Sequence, residues 1–112
     1  MRHTITVGSI VTVSQMADPE GRNPKDRPAV VLSLEEDSVL IVAISSRMDV
    51  FDEATHVSLP WERSGHPQTG LNRESAAVCF WFETVAKNRI EAKGRSVSAI
   101  LVKAITARMR AE

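Results

Sequence analysis

Residues 27–47 read RPAVVLSLEEDSVLIVAISSR, and their interpretation decides the fold. Pro28-Ala29-Val30-Val31-Leu32 is a short apolar run. Its leading proline suits only the first residue of a strand or a sheet edge, because it has no N–H to give to a ladder. Glu35-Glu36-Asp37 is a polar turn, and Ser38–Ser45 is a second apolar run, continuous enough to be buried on both faces. Two such runs joined by a tight acidic turn predict a β-hairpin. Antiparallel pairing across that turn sets the start of the first strand beside the end of the second. Arg27/Pro28 and Ile44/Ser45 are therefore predicted neighbours.

Working outward, Ser9-Ile10-Val11-Thr12-Val13 follows Gly8 and mixes β-branched residues, a strand start. Thr55-His56-Val57-Ser58-Leu59 alternates weakly and stops at Pro60. Ser75–Val85 (SAAVCFWFETV) is a long strand candidate, although periodicity alone leaves a helix open there. The period changes at the C-terminus. Val97, Ile100, Leu101, Ala104, Ile105 and Met109 (beside Arg108) form one helical stripe, with Ser96 as the expected N-cap. Lys103, Arg108 and Arg110 sit towards the end where positive charge complements the helix dipole. Several strands and one terminal helix imply a mainly β fold, a small barrel or sheet capped by an α-helix. Two loops of unusual length, Ser14–Asp26 and Pro60–Glu74, read either as functional segments or as surface insertions.

The chain has 112 residues, which suggests one domain over 1–112 with a single modest core. At 43% hydrophobic and 25% charged, its composition excludes wholesale disorder. No apolar run approaches a membrane span, and Met1-Arg2-His3-Thr4 does not open a signal peptide. Cys79 is the single cysteine, which excludes an internal disulfide framework or a Cys-rich zinc site and fits the reducing cytoplasm.

The formal net charge is zero, with 14 Lys+Arg against 14 Asp+Glu, which at face value argues against a nucleic-acid binder. The average conceals a gradient: residues 1–30 carry +1, residues 31–83 carry −6 and residues 84–112 carry +5. Either a polyanion or an oppositely charged face of a partner would fit, as would a solvated basic helix.

No phosphate-binding glycine loop, H-E-x-x-H or C-x-x-C is present, so neither a cofactor nor a metal is expected. Cys79, inside VCFWF, reads as a buried inert thiol. His3 reads as part of a flexible terminus and His66 as a solvent-exposed loop residue. His56 falls within a strand and is either structural or functional. Arg27 ends a polar loop and precedes an apolar strand, so its stem would be anchored while its guanidinium points off the strand end. There it can grip a phosphate through two parallel hydrogen bonds. Ser45-Ser46-Arg47 closes the facing strand, and its hydroxyls and second guanidinium join Arg27 if the strand ends converge.

Gly8-Ser9-Ile10-Val11, then Asp26-Arg27-Pro28-Ala29-Val30-Val31-Leu32-Ser33, then Val42-Ala43-Ile44-Ser45-Ser46-Arg47 resemble the MazF/PemK family of toxin endoribonucleases from toxin–antitoxin pairs. The resemblance continues through Thr55-His56-Val57, Gly70-Leu71-Asn72-Arg73-Glu74-Ser75, Glu83-Thr84-Val85 and Lys87-Asn88-Arg89-Ile90. It implies an SH3-like β barrel with a C-terminal α-helix, a homodimer, a cognate antitoxin partner and cleavage of single-stranded RNA without a metal. The family's catalytic arginine before proline maps onto Arg27, and its hydroxyl residue at the next strand end, commonly threonine, maps onto Ser45. Lys25, Ser46, Arg47 and His56 are candidate RNA contacts.

The chain departs from that pattern in three places. Lys25-Asp26 puts an acid beside Arg27, where it would either orient the guanidinium or repel RNA. Ser45 lacks the methyl that fixes threonine's rotamer. Where relatives often have a polar Gln-x-Arg-Thr, this chain has Trp81-Phe82-Glu83-Thr84, and the Phe80-Trp81-Phe82 cluster is either core packing or an altered partner surface. A non-catalytic SH3-like binding module is the alternative function, and a hydrolase using Cys79 or Ser75 is more remote because no base can be paired with either.

Overall fold

The apolar runs form strands, and their two-residue period sorts side chains to opposite faces of one sheet. The computed structural model describes residues 4–110; His3 and Glu112 lie outside the described residues. The elements are β1 (Ser9–Met16), β2 (Lys25–Leu34), β3 (Ser38–Ser45), β4 (His56–Leu59), β5 (Ser75–Ala86), β6 (Ile90–Ser96) and α1 (Ala99–Arg110), with single 3₁₀ turns at Met48–Val50 and Lys87–Arg89. Their order across the sheet is β4-β5-β3-β2-β1-β6, and every neighbouring pair is antiparallel.

The hairpin of β2 and β3 occupies the middle of this sheet. Its register pairs Ala29 with Ala43, Val30 with Val42 and Val31 with Ile41, and the acidic turn closes with Glu35 N–H donating to Ser38 O at 2.9 Å. Along β3, Val42 and Ile44 enter one buried cluster with Ile10, Val57, Leu59 and Ile105. Val39, Ile41 and Ala43 enter a second, with Val11, Val13, Met16 and Val85. The central hairpin is thus buried on both faces, as its unbroken apolar run predicts. Helix α1 covers the first cluster. The second is enclosed by the sheet's own curvature, and register shifts at Ile10/Val11, Val13/Met16, Val31/Ser33 and Val42/Ile44 supply the bends.

The mainly β architecture with a C-terminal helix matches the sequence reading, but the sheet does not close as a barrel. Among the described residues β4 and β6 share no ladder. The gap between them is spanned by the 60–74 loop, from which Gln68 O accepts the Ser96 N–H at 3.0 Å. Gly70 packs against β6 so tightly that a Cβ there would lie 2.7 Å from Arg95 Cδ, and its φ is +72°. The Arg95 side chain could move aside, but the positive φ favours glycine.

Three further local expectations are corrected. Strand β6 (IEAKGRS) was absent from the sequence reading, because an edge strand with mostly exposed side chains carries a weak apolar signal. The N-cap is Ser98 rather than Ser96: Ser96 ends β6, while Ser98 Oγ accepts the Leu101 N–H at 3.4 Å. Ile100 is 78% exposed and outside the helical stripe, which runs instead through Leu101, Val102, Ala104, Ile105 and Met109. No helix among the described residues is long and apolar enough to cross a membrane.

Burial at the two helix and strand positions separates core from surface. Ile41→Ala is expected to lower unfolding stability by about 2–5 kcal/mol, and Ile100→Ala to change it by less than about 0.5 kcal/mol. Urea denaturation of the two variants checks both.

Candidate functional site

The register of β2 and β3, continued two residues past Ala29 and Ala43, sets Arg27 opposite Ser45. Both line one open cleft of about 950 Å³, whose wall also includes Lys25, Ser46, Arg47 and His56. All six residues singled out from sequence therefore face the same space. The cleft is completed by Asp18, Asn23, Leu71, Arg73, Phe80 and Trp81, among others.

Arg27 is held by backbone rather than by an acid. Its Nε donates to Met16 O and its Nη2 to Asn23 O, each at 2.7 Å. Its Cζ lies 5.0 Å from the centre of the Trp81 ring, within cation–π range. Nη1 and one N–H of Nη2 have no protein acceptor among the described residues. The guanidinium is thus oriented with donors to spare.

The acceptors are themselves anchored. The Met16 side chain is fully buried, which fixes its carbonyl. Gln15 and Ser14, in the bulge before it, are clamped by Arg89, whose Nη2 donates to Ser14 O at 2.9 Å and to Gln15 O at 3.1 Å. Asn23 belongs to a turn organised by Asp18, whose carboxylate accepts from Arg22 N–H (2.8 Å), Glu20 N–H (3.1 Å) and Asn23 Nδ2 (2.9 Å). The Arg22 amide is foremost in holding the Asp18 carboxyl below its ordinary pKa. Desolvation, second in size, opposes it, and the Asn23 side chain, the Glu20 amide and the Arg27 charge each add a smaller lowering.

Asp26 lines the cleft but does not pair with Arg27. Its Oδ1 accepts the Gln15 N–H at 3.3 Å and so supports the β1 bulge. Ser45 Oγ accepts the Arg47 N–H at 3.1 Å, which fixes the hydroxyl without a threonine methyl and leaves its proton able to donate. Arg47 pairs with Asp49 at 3.1 Å in an exposed ion pair worth little. His56 is buried, with Nδ1 2.8 Å from Thr55 Oγ1, and its ring sits between Phe51 and Phe80 at 5.6 and 5.8 Å. His66 is half-buried and organises its loop: Nδ1 accepts from the Gln68 and Thr69 amides.

The charged residues of the wall are Lys25, Arg27, Arg47 and Arg73 against Asp18, Glu20 and Asp26. None of the basic residues beyond position 83 reaches it; Arg108, for example, donates through Nε to Glu53 O at 2.8 Å. No group of three or more His, Cys, Asp or Glu among the described residues is placed to hold a metal ion.

This fold is shared with known proteins. The profile of a family described as PemK-like, MazF-like toxin of type II toxin-antitoxin system matches residues 6–111. The chain belongs to that family. In fold it is similar to MazF (Form-I) from Deinococcus radiodurans, at a TM-score of 0.72 and 15% identity over 97% of this chain and 96% of that one. It is similar also to the MazE-MazF (Form-II) structure from the same organism, at 0.67 and 16% over 97% and 94%. A third similar fold is Mycobacterium tuberculosis toxin MazF-mt6, at 0.61 and 20% over 90% and 91%. A comparison with curated protein sequences gave no match.

Within this PemK/MazF-like chain the aromatic cluster divides. Phe80 and Trp81 border the cleft, whereas Phe82 is 48% exposed and outside it. Glu83 lies 3.9 Å from Arg89 and is not part of the wall. Trp81, Asn23 and Arg89 were the participants missed from sequence. Their roles depend on contacts spanning up to 75 positions, and the aromatic run was the one visible signal.

The depressed Asp18 pKa gives a pH dependence. Its ionised form is favoured by the folded turn, so this contribution is present above the unfolded-state pKa and lost as pH falls through the lower folded one. An NMR titration should show the Asp18 carboxyl titrating below the ordinary aspartate range, with the Arg22 amide resonance moving in step.

Proposed function

We propose that this chain is the toxin of a type II toxin–antitoxin pair acting in the cytoplasm as an endoribonuclease on single-stranded RNA, without a metal. The single observation that carries the reading is Arg27, oriented by two carbonyls and an aromatic ring with donors unspent, opposite the Ser45 hydroxyl in one cleft. In the reaction inferred, the RNA 2′-oxygen forms a new bond to the adjacent phosphorus as the bond from phosphorus to the 5′-oxygen breaks. The 2′-hydroxyl gives up its proton and the leaving 5′-oxygen gains one. The products are a cyclic phosphate and a free 5′-OH. Arg27 donates to the phosphoryl oxygens where charge develops. Ser45 donates a hydrogen bond from its hydroxyl to a phosphate oxygen and holds the phosphate in line for attack.

Lys25, Ser46 and Arg47 flank this point as contacts for neighbouring nucleotides, and His56 supports the wall through Phe80. We infer a homodimer and a cognate antitoxin partner, in keeping with family membership and with the similar MazE-MazF structure. Phe82, exposed on β5 beyond the cleft, is an anchor available to such a protein partner. Used alone, that surface would make the chain a non-catalytic binding module.

Incubating the purified chain with long single-stranded RNA in excess chelator separates the two. Cleavage to 5′-OH ends is expected, reduced about 10²–10³-fold by Arg27→Ala, as for loss of a charge-stabilising donor. Intact RNA, or cleavage indifferent to Arg27→Ala, contradicts the assignment. The mixed charge of the cleft also predicts shallow salt dependence. Log affinity for RNA should fall with log salt at a slope of about −1 to −2, on the order of 0.7 per phosphate neutralised.

A further inference from the structure

We propose that Trp81 is a positioning residue for Arg27: its ring face fixes the guanidinium in the orientation that meets the scissile phosphate, and its indole N–H is a secondary tie that helps seat the ring. The inference rests on the nuclease reading for its consequence, but on this chain's own contacts for its geometry.

Two carbonyl acceptors define where the Arg27 guanidinium sits at one edge. Nε points to Met16 O and Nη2 to Asn23 O. Hydrogen bonds from two nitrogens of a planar group leave tilting about the line between them as the soft motion. That tilt moves the opposite side of the guanidinium, the Nη1 side that remains to bind a ligand. Trp81 lies against the guanidinium, with Cζ 5.0 Å from the ring centre, and opposes the tilt by contact and by attraction of the cation to the ring.

The ring is itself tied down. Trp81 Nε1–H donates to Ala17 O at 3.2 Å, a bond from β5 to the residue directly after the one that receives Arg27 Nε. Trp81 also packs against the cluster that contains the fully buried Met16 side chain. The carbonyl that orients the arginine and the ring that covers it therefore share one rigid support. Trp81 stands in a strand of this chain that is otherwise exposed from Phe80 to Thr84, and it is the half-buried member of that run. Its burial is spent on Arg27 and the 17–24 loop rather than on the interior alone.

A ring that merely filled space would be replaceable by any apolar side chain of adequate size. Positioning demands an aromatic face. Trp81→Leu and Trp81→Met remove the face while keeping apolar packing. Trp81→Phe keeps the face and removes the indole donor. Thermal melts identify which variants fold, and two non-aromatic variants are compared so that loss of one to misfolding leaves the other.

The first readout is hydrogen exchange of the Arg27 Nε–H in the ¹⁵N-labelled full chain, its resonance assigned by its loss in Arg27→Lys. Exchange is expected to be slow in wild type and in Trp81→Phe, and about tenfold faster in Trp81→Leu and Trp81→Met. The second is cleavage of single-stranded RNA. For the non-aromatic variants kcat should fall about tenfold with KM within about twofold of wild type, and Trp81→Phe should stay within about threefold in kcat.

Unchanged Arg27 exchange in a folded non-aromatic variant overturns the proposal, as does unchanged kcat in a chain that cleaves. A rise in KM alone overturns it too, because Trp81 would then be touching RNA. Equal losses in Trp81→Phe and Trp81→Leu assign the effect to the Ala17 tie and overturn the role of the ring face. A wild-type chain that leaves RNA intact overturns the nuclease reading instead, and the exchange measurement then judges the clamp by itself.

Discussion

The β2–β3 hairpin must be covered on both faces, and the rest of the molecule answers that requirement. Val30 and Val42 are fully buried on one side and Val31 and Ile41 on the other. A strand pair of this kind cannot lie at a sheet edge or against water without losing roughly 1.5–3 kcal/mol for each large side chain left exposed. Helix α1 seals one face through Ile105 and Leu101. The other is sealed by the bending of the sheet, whose register shifts fall in the β1–β2, β1–β6, β2–β3 and β3–β5 ladders and leave the β4–β5 ladder regular. The same curvature brings the β1–β2 loop across the ends of β2 and β3, where the cleft forms.

The cleft is therefore a product of packing before it is one of chemistry. Arg27 is the point at which β2 leaves the polar loop, and Ser45 is where β3 ends. Their opposition follows from pairing that the core has already fixed. What chemistry adds is restraint: the carbonyls of Met16 and Asn23 hold one edge of the guanidinium, and the backbone amide of Arg47 holds the serine oxygen. Preorganisation by neutral partners has an electrostatic consequence. No carboxylate forms an ion pair with Arg27 among the described residues, so its positive charge is only partly offset, by the nearby Asp18 carboxylate, and stays available to an anionic ligand.

The central hairpin, the meeting of Arg27 with Ser45 and the terminal helix were legible because each depends on local pattern: an apolar run, a turn, a 3.6-residue stripe. The family's ordered motifs added part of the wall, His56 and Leu71 to Arg73 among it. What escaped the sequence is what depends on distant partners. Ser96 reads as the cap in one dimension, but its place in β6, paired with Ser9 and donating to Gln68 O, moves the helix start to Ser98. Strand β6 has few inward side chains to announce it. Asp26 looked like a partner for Arg27 because it is adjacent in sequence, but its carboxylate accepts from the distant Gln15 amide instead. Trp81 and Arg27 are 54 positions apart, and no local pattern joins them.

Zero net charge proves a poor guide to such a site. The basic C-terminal quarter lies elsewhere, and the cleft gathers a small set of cations among acids of which Asp18 and Asp26 are occupied in organising loops. The account stands or falls on whether Arg27 and Ser45 act on one phosphate. A double-mutant cycle in single-turnover RNA cleavage, using Arg27→Ala, Ser45→Ala and the pair, measures that directly. Shared action predicts a double variant clearly less impaired than the product of the two single losses, a coupling of about 0.5–3 kcal/mol. Strictly multiplicative losses would show two independent roles and contradict it.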